Sequence, residues 1–208
     1  MEIDARVFQF EEGMKWVLAT RNAGKVTEFQ RLADELDGGI EWLSLRDVGF
    51  REEVEEHGNT LAENARLKSW AVHRQIGLPV LSDDSGLFVD ALDGAPGVRS
   101  ARFAGEDSND ENNNTKLLGM MEGMEGRDAH FSVVLCAVMD GKEMLFEGSV
   151  EGAIAKSLEG NDGFGYDPLF IPNGFMKTFA KISWEHKDAI SHRRRAMEQF
   201  LRWKKNFF

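Results

Sequence analysis

Cysteine is almost absent. Cys136 is the only one in 208 residues, so no intramolecular disulfide can form. It sits in the apolar run Phe131 to Met139 (FSVVLCAVM), a setting that predicts a small buried hydrophobe rather than a reactive thiol. Long apolar runs are also missing. Nothing approaches the roughly 18 residues of a membrane span, and the first residues are acidic where a secretory signal would be basic. The expectation is a cytoplasmic protein with no membrane partner. Basic residues are in deficit as well: 25 Lys and Arg against 36 Asp and Glu leave a formal net charge of −11. That balance argues against a nucleic-acid backbone as partner, since such binders carry a basic stripe or patch. It does not exclude a small anion, which needs only a few local cations, a metal and some backbone N–H groups. No internal repeat, low-complexity tract or linker is visible.

What is present is enough apolar residue, 42%, to build one large domain or two closely joined lobes, and we expect one folding unit over residues 16–208. Residues 1–15 (MEIDARVFQFEEGMK) precede the first clear element and read as an extension without an interpretable role. Trp16 to Ala19 reads as a buried strand, followed by a turn and a helix with Val26, Phe29, Ala33 and Leu36 on one face and Asn22 as its cap. A second helix is predicted from about Thr60 to Ile76, where Leu61, Ala65, Lys68 and Val72 recur at helical spacing and Gly77-Leu78-Pro79 ends it. Val80-Leu81 begins a strand that ends in Asp83-Asp84-Ser85-Gly86. A polar segment, Ser108 to Thr115, leads to a short helix around Lys116 to Met121. Two strands, His130 to Met139 and Met144 to Ile154, are joined by the hairpin turn Asp140-Gly141-Lys142. A last helix spans Ser191 to Trp203, with Ala196, Phe200 and Trp203 as its stripe. Alternation of helices and strands followed by a β-meander predicts an α/β fold with a mixed central sheet and flanking helices.

Five segments could carry chemistry. Thr20-Arg21-Asn22-Ala23-Gly24-Lys25 is a strand, small-residue turn and helix start, which suits phosphate, though it lacks P-loop spacing and could be an ordinary capped turn. Glu52-Glu53-Val54-Glu55-Glu56 is either a solvated acidic face or the source of a Mg²⁺ ligand; one glutamate would suffice, because Mg²⁺ takes only one or two protein carboxylates. Asp83 and Asp84 are adjacent acids after a buried strand, costly unless they bind a cation or are fully hydrogen-bonded. Strand alternation sends them to opposite sides, so one of them could hold Mg²⁺ and take a proton from water; the alternative is a turn capped by its own side chains. Gly163-Phe164-Gly165-Tyr166-Asp167-Pro168 sets glycines beside aromatics. It suits a base-stacking platform with Asp167 accepting from a purine N–H, or a turn with two core aromatics. In Lys187-Asp188-Ala189-Ile190-Ser191-His192-Arg193, an N-cap serine puts cations in a helix's first turn, where they are unfavourable unless an acceptor or anion is near. Donors there would favour a 6-oxo purine over adenine.

Taken together and in this order, VLATRNAGKVTEF, EEHGNTLAENARLKS, LSDDSGLFVDALDGAPGVRSARFAG, FGYDPLF and KDAISHRRRA resemble the inosine/xanthosine triphosphate pyrophosphatase family. The likeness runs from Trp16 to about Phe200. It implies an elongated α/β homodimer with a cleft between two lobes, acting on a nucleotide. By the resemblance, Thr20 to Lys25 bind substrate phosphates, Lys68 adds a phosphate contact, Glu55 and Asp84 hold Mg²⁺, and Asp84 accepts the proton. Ser85, Phe164 to Asp167, Lys187, His192 and Arg193 bind substrate, and Lys187 is expected to neutralise triphosphate charge beside Lys25 and Lys68. Arg21 departs from the usual glycine of the first motif, which would strain the backbone if φ were positive there. Two rival classes are a Maf-like pyrophosphatase for other modified nucleotides and a non-catalytic nucleotide sensor.

Overall fold

The structure is a computed structural model that describes residues 15–36, 39–106 and 109–207; all but the last residue of the N-terminal extension lies outside them. The chain forms β1 (Lys15–Leu18), α1 (Ala23–Leu36), β2 (Glu41–Ser44), α2 (Leu61–Ile76), β3 (Val80–Val89), α3 (Asp110–Met120), β4 (Asp128–Met139), β5 (Lys142–Ile154), β6 (Phe170–Pro172), α4 (Trp184–Ile190) and α5 (His192–Phe207), with short 3₁₀ turns between. The strands make one six-stranded sheet in the order β2-β1-β3-β4-β5-β6. β1 is parallel to β2 and β3, while β5 and β6 are antiparallel, so the sheet is mixed as the sequence predicts. Among the described residues no helix is long and apolar enough to cross a membrane.

The chain divides into two compact units. The first takes in the described residues up to Asp83 together with Leu135–Phe146 and the chain from Met197 onward. Its apolar contacts include Val17, Phe50, Val72 and Val80. Trp16 packs edge-on against Phe200, with ring centroids 4.9 Å apart. Here the local signals agree with the outcome. Asn22 caps α1 through its Oδ1, which accepts from the Lys25 N–H at 3.0 Å. Thr60 caps α2, and Gly77 ends it in the left-handed conformation. Cys136 lies in β4 with no exposure, and burial pushes its thiol up to about 12.

The second unit comprises Asp84–Val134 and Glu147–Ala196. Its core gathers Leu87, Val89, Leu117, Met121, Ile154, Tyr166, Phe170 and Phe179.

Three elements differ from the sequence prediction. β3 does not stop at the acidic pair but runs ten residues to Val89. Asp-Ser-Gly has turn composition, yet Gly86 is needed as strand: a Cβ there would overlap the Gly97 carbonyl oxygen. The polar segment before Lys116 is helical, because α3 begins at Asp110 under an Asn109 cap whose Oδ1 accepts from the Asn112 N–H at 2.9 Å. Asn113, buried inside it, donates to the Ala101 carbonyl and accepts from the Ala104 N–H, which offsets its poor helix propensity. The last helix starts as predicted under Ser191, whose Oγ accepts from the Arg194 N–H at 3.1 Å, but a short unpredicted helix, α4, precedes it.

Candidate active site

In the first unit, the carboxyl end of β1 opens into Thr20-Arg21-Asn22 and the start of α1. The Ala19 N–H donates to the Leu81 carbonyl at 2.8 Å, which fixes this turn beside β3. Ligands of parallel α/β sheets collect at such strand ends. The Thr20 hydroxyl accepts from the Asn22 N–H at 3.3 Å, and the small residues Ala23 and Gly24 open the helix. Arg21 has no positive φ, so replacing glycine leaves no backbone strain. Its Nη2 donates to the Glu52 carbonyl at 2.9 Å, tying the phosphate-type turn to the acidic segment.

Two lysines of this unit are held by its acids. Lys25 Nζ lies 2.7 Å from Asp83 Oδ2, and Asp83 is fully buried. Lys68 Nζ lies 3.2 Å from Glu56 Oε2. One turn earlier on α2, Asn64 Oδ1 accepts from the Gly58 N–H at 2.8 Å. A Cβ on Gly58 would press on Asn64 and Glu63, so only glycine lets the acidic segment lie this close to α2. Glu56 is thus turned to Lys68, whereas the Glu55 side chain is exposed and makes no hydrogen bond or ion pair within the described residues. Of the two glutamates, Glu55 is the one available to an incoming cation.

Asp84, the first residue of the second unit, is 6% exposed. Asp83 being committed to Lys25, the alternation of β3 leaves Asp84 on the other side of the strand. Among the described residues, no three His, Cys, Asp or Glu side chains gather into a metal-binding group. A hard cation that keeps its waters and takes phosphate oxygens needs only one or two protein carboxylates, so the lack of such a group does not bear on Mg²⁺.

The second unit also assembles an aromatic and cationic cluster. Phe164 is half-buried, and both Lys187 Nζ, at 4.9 Å, and Arg193 Cζ, at 5.1 Å, lie over its ring. Arg193 Nη2 donates to Ser85 Oγ at 3.0 Å, which brings the start of α5 to the residue after Asp84. His192 is buried and stacks on Phe131, with centroids 5.1 Å apart and planes 9° from parallel. Lys187 Nζ donates to Asp167 Oδ2 at 2.6 Å, and the same oxygen accepts from the Phe164 N–H at 3.0 Å. This adds two local constraints. Lys187 lies over the Phe164 ring as well as being a candidate phosphate cation, and one oxygen of Asp167 is occupied in shaping its own loop. Tyr166 is core: its hydroxyl donates to the Ser100 carbonyl at 2.9 Å, and burial, with the nearby Asp110 charge, pushes the phenol far above its ordinary value. Of the two aromatics only Phe164 presents a ring. Phe131 and Gly148, which underlie His192, gave no signal in sequence because each sits in a strand pattern that reads simply as sheet.

The sequence profile of the Ham1 family matches residues 16–203. A dITP/XTP pyrophosphatase of Desulforamulus reducens is 47% identical over 191 residues, covering 90% of this chain and 94% of the relative. A protein of the same name from Flavobacterium psychrophilum is 43% identical over 193 residues, covering 93% of this chain and 100% of its own. Among solved structures, the Staphylococcus aureus Ham1 protein is similar with a TM-score of 0.83 at 37% identity, covering 93% of this chain and 100% of that one. With a profile spanning nearly its whole length and relatives at 43% and 47% identity, the chain belongs to the Ham1 family.

Proposed function

We propose that this protein hydrolyses non-standard purine nucleoside triphosphates (ITP, dITP and XTP) to the monophosphate and pyrophosphate, with Mg²⁺, and so removes them from the nucleotide pool. The names of its relatives support this reading. The observation that carries it is the set of donors around Phe164. Lys187 and Arg193 have N–H groups and no acceptor, so they suit the 6-oxo group of hypoxanthine or xanthine. Adenine offers a 6-amino donor at that position and would leave buried donors unpaired, at a cost of about 1–3 kcal/mol each.

Each residue then has a role. The turn Thr20 to Lys25 and Lys68 bind and neutralise the phosphates. Lys25 and Lys68 come to this task already ordered by Asp83 and Glu56, which lowers the cost of fixing two long side chains. Glu55 and Asp84 would hold Mg²⁺, whose chemistry when bound is to neutralise charge on phosphate oxygens. Asp84 accepts the proton of the water that attacks the α-phosphorus, and the bond from that phosphorus to the bridging oxygen breaks to release pyrophosphate. Phe164 stacks the base, Arg193 and His192 recognise it, and Ser85 anchors Arg193. The cytoplasmic setting and the homodimer belong to the same proposal; sedimentation at twice the chain mass is the expected result for the dimer.

The test is Mg²⁺-dependent turnover of ITP, XTP, dITP, ATP and GTP by wild type and Asp84→Asn, with products separated by ion exchange. We expect monophosphate plus pyrophosphate, a preference of at least about tenfold for ITP and XTP, and a folded but nearly inactive Asp84→Asn. Release of orthophosphate would refute the cleavage position; an Asp84→Asn variant with full activity would refute the role of Asp84.

A further inference from the structure

The loop that presents Phe164 is fastened from α3. Gly165 follows Phe164 and takes φ +62°, the left-handed region that favours glycine. Both polar groups of this residue are held by side chains from one face of α3. Its N–H donates to Asp110 Oδ2 at 2.7 Å, and its carbonyl accepts from Asn114 Nδ2 at 2.8 Å. The Asn114 amide donates a second time, to the Asp110 carbonyl at 2.8 Å, so the two holding residues, one helical turn apart, are bonded to each other. Asn114 is 4% exposed, whereas Asp110 lies at the surface.

A loop residue normally leaves its N–H and C=O to water. Here the most permissive backbone position of the segment is clamped on both sides, and the next residue, Tyr166, is pinned in the core through Ser100. The direction in which Phe164 leaves the backbone is therefore set by α3. The ring's attitude in turn sets where the Lys187 and Arg193 cations lie over it.

We infer that Asp110 and Asn114 are positioning residues for base recognition: by clamping Gly165 they hold the Phe164 ring in the attitude a purine stacks on. This rests on the reading of Phe164 as the base platform. It predicts a loss confined to ligands that carry a base. Asn114→Ala and Asp110→Ala should raise KM for ITP by about tenfold, as the removal of buried or charge-assisted hydrogen bonds entails, while kcat moves far less. Competitive inhibition by tripolyphosphate, which has no base, should stay within about twofold of wild type, since the phosphate groups are untouched. Asp110→Asn, which keeps an oxygen acceptor for the Gly165 N–H, should recover most of the ITP affinity.

The experiment is steady-state ITP hydrolysis and tripolyphosphate inhibition for the four proteins, with thermal unfolding recorded for each. An unchanged KM for ITP in the alanine variants overturns the inference. So does a parallel loss of ITP and tripolyphosphate binding in folded protein, which would mark a merely structural clamp. Should Asn114→Ala fail to fold, the surface pair Asp110→Ala and Asp110→Asn decides the matter by loss and recovery. Wild type that never cleaves ITP would instead refute the proposed function, and that outcome is read before any variant is compared.

Discussion

The Lys187–Asp167 pair shows how strongly single residues are committed in this protein. Their side chains are 8% and 5% exposed, and the Lys187 charge is satisfied by one carboxylate oxygen at 2.6 Å and by the faces of Phe164 and Phe179. Gly163, at φ +82°, is required alongside, because a Cβ there would overlap Asp167 Oδ2. Removing one partner of a buried pair leaves the other charge uncompensated, which costs about 3–5 kcal/mol. Asp167→Asn should therefore destabilise the protein by about 3 kcal/mol in guanidinium unfolding, and the double variant with Lys187→Met should recover part of that loss. A variant as stable as wild type would mean that the pair contributes nothing to folding. The sequence singled out both residues but not each other. They are twenty positions apart, and no local pattern couples a turn aspartate to a helix lysine.

At the scale of elements, strand β5 and the first turn of α5 meet without a side chain between them. A Cβ on Gly148 would overlap the His192 carbonyl oxygen and crowd the Ala196 N–H. Gly148→Ala should cost about 1–3 kcal/mol through overpacking. Because the turn it displaces carries His192 and Arg193, KM for ITP should rise more than the loss of stability alone explains; thermal unfolding and kinetics on one preparation test this. A variant with unchanged KM would show that the turn tolerates the shift. Elements with strong local rules were legible in the sequence. Helices α1 and α2 carry caps and a 3.6-residue stripe, and the β4–β5 hairpin turns at Asp140 and Gly141, both at positive φ. Helix α3 was read only in part because Asn113 and Asn114 are poor helix formers that become affordable once their amides are bonded to distant loops. Seven-residue α4 is too short to show a period.

For the molecule as a whole, charge is the property that reaches furthest. A net charge of −11 should keep the protein off polyanions: no retention on heparin is expected at physiological ionic strength, and binding that weakens steeply with salt would contradict this. A nucleoside triphosphate is compatible with that charge because a small anion needs only a few cations, and Arg21, Lys25 and Lys68 all belong to the first unit. Composition, periodicity and motif order by themselves determined the α/β class, the mixed sheet, the family and the residue types the chemistry needs, since these depend on spacing along the chain. Only the tertiary structure decided which acid of each pair meets which lysine: Lys25 takes Asp83 rather than its neighbour, and Lys68 takes Glu56 while Glu55 stays exposed. It also decided that Tyr166 is core while Phe164 is only half-buried, with the Lys187 ammonium over its ring. These are choices between chemically equivalent neighbours in sequence, and they are made by partners tens of residues away.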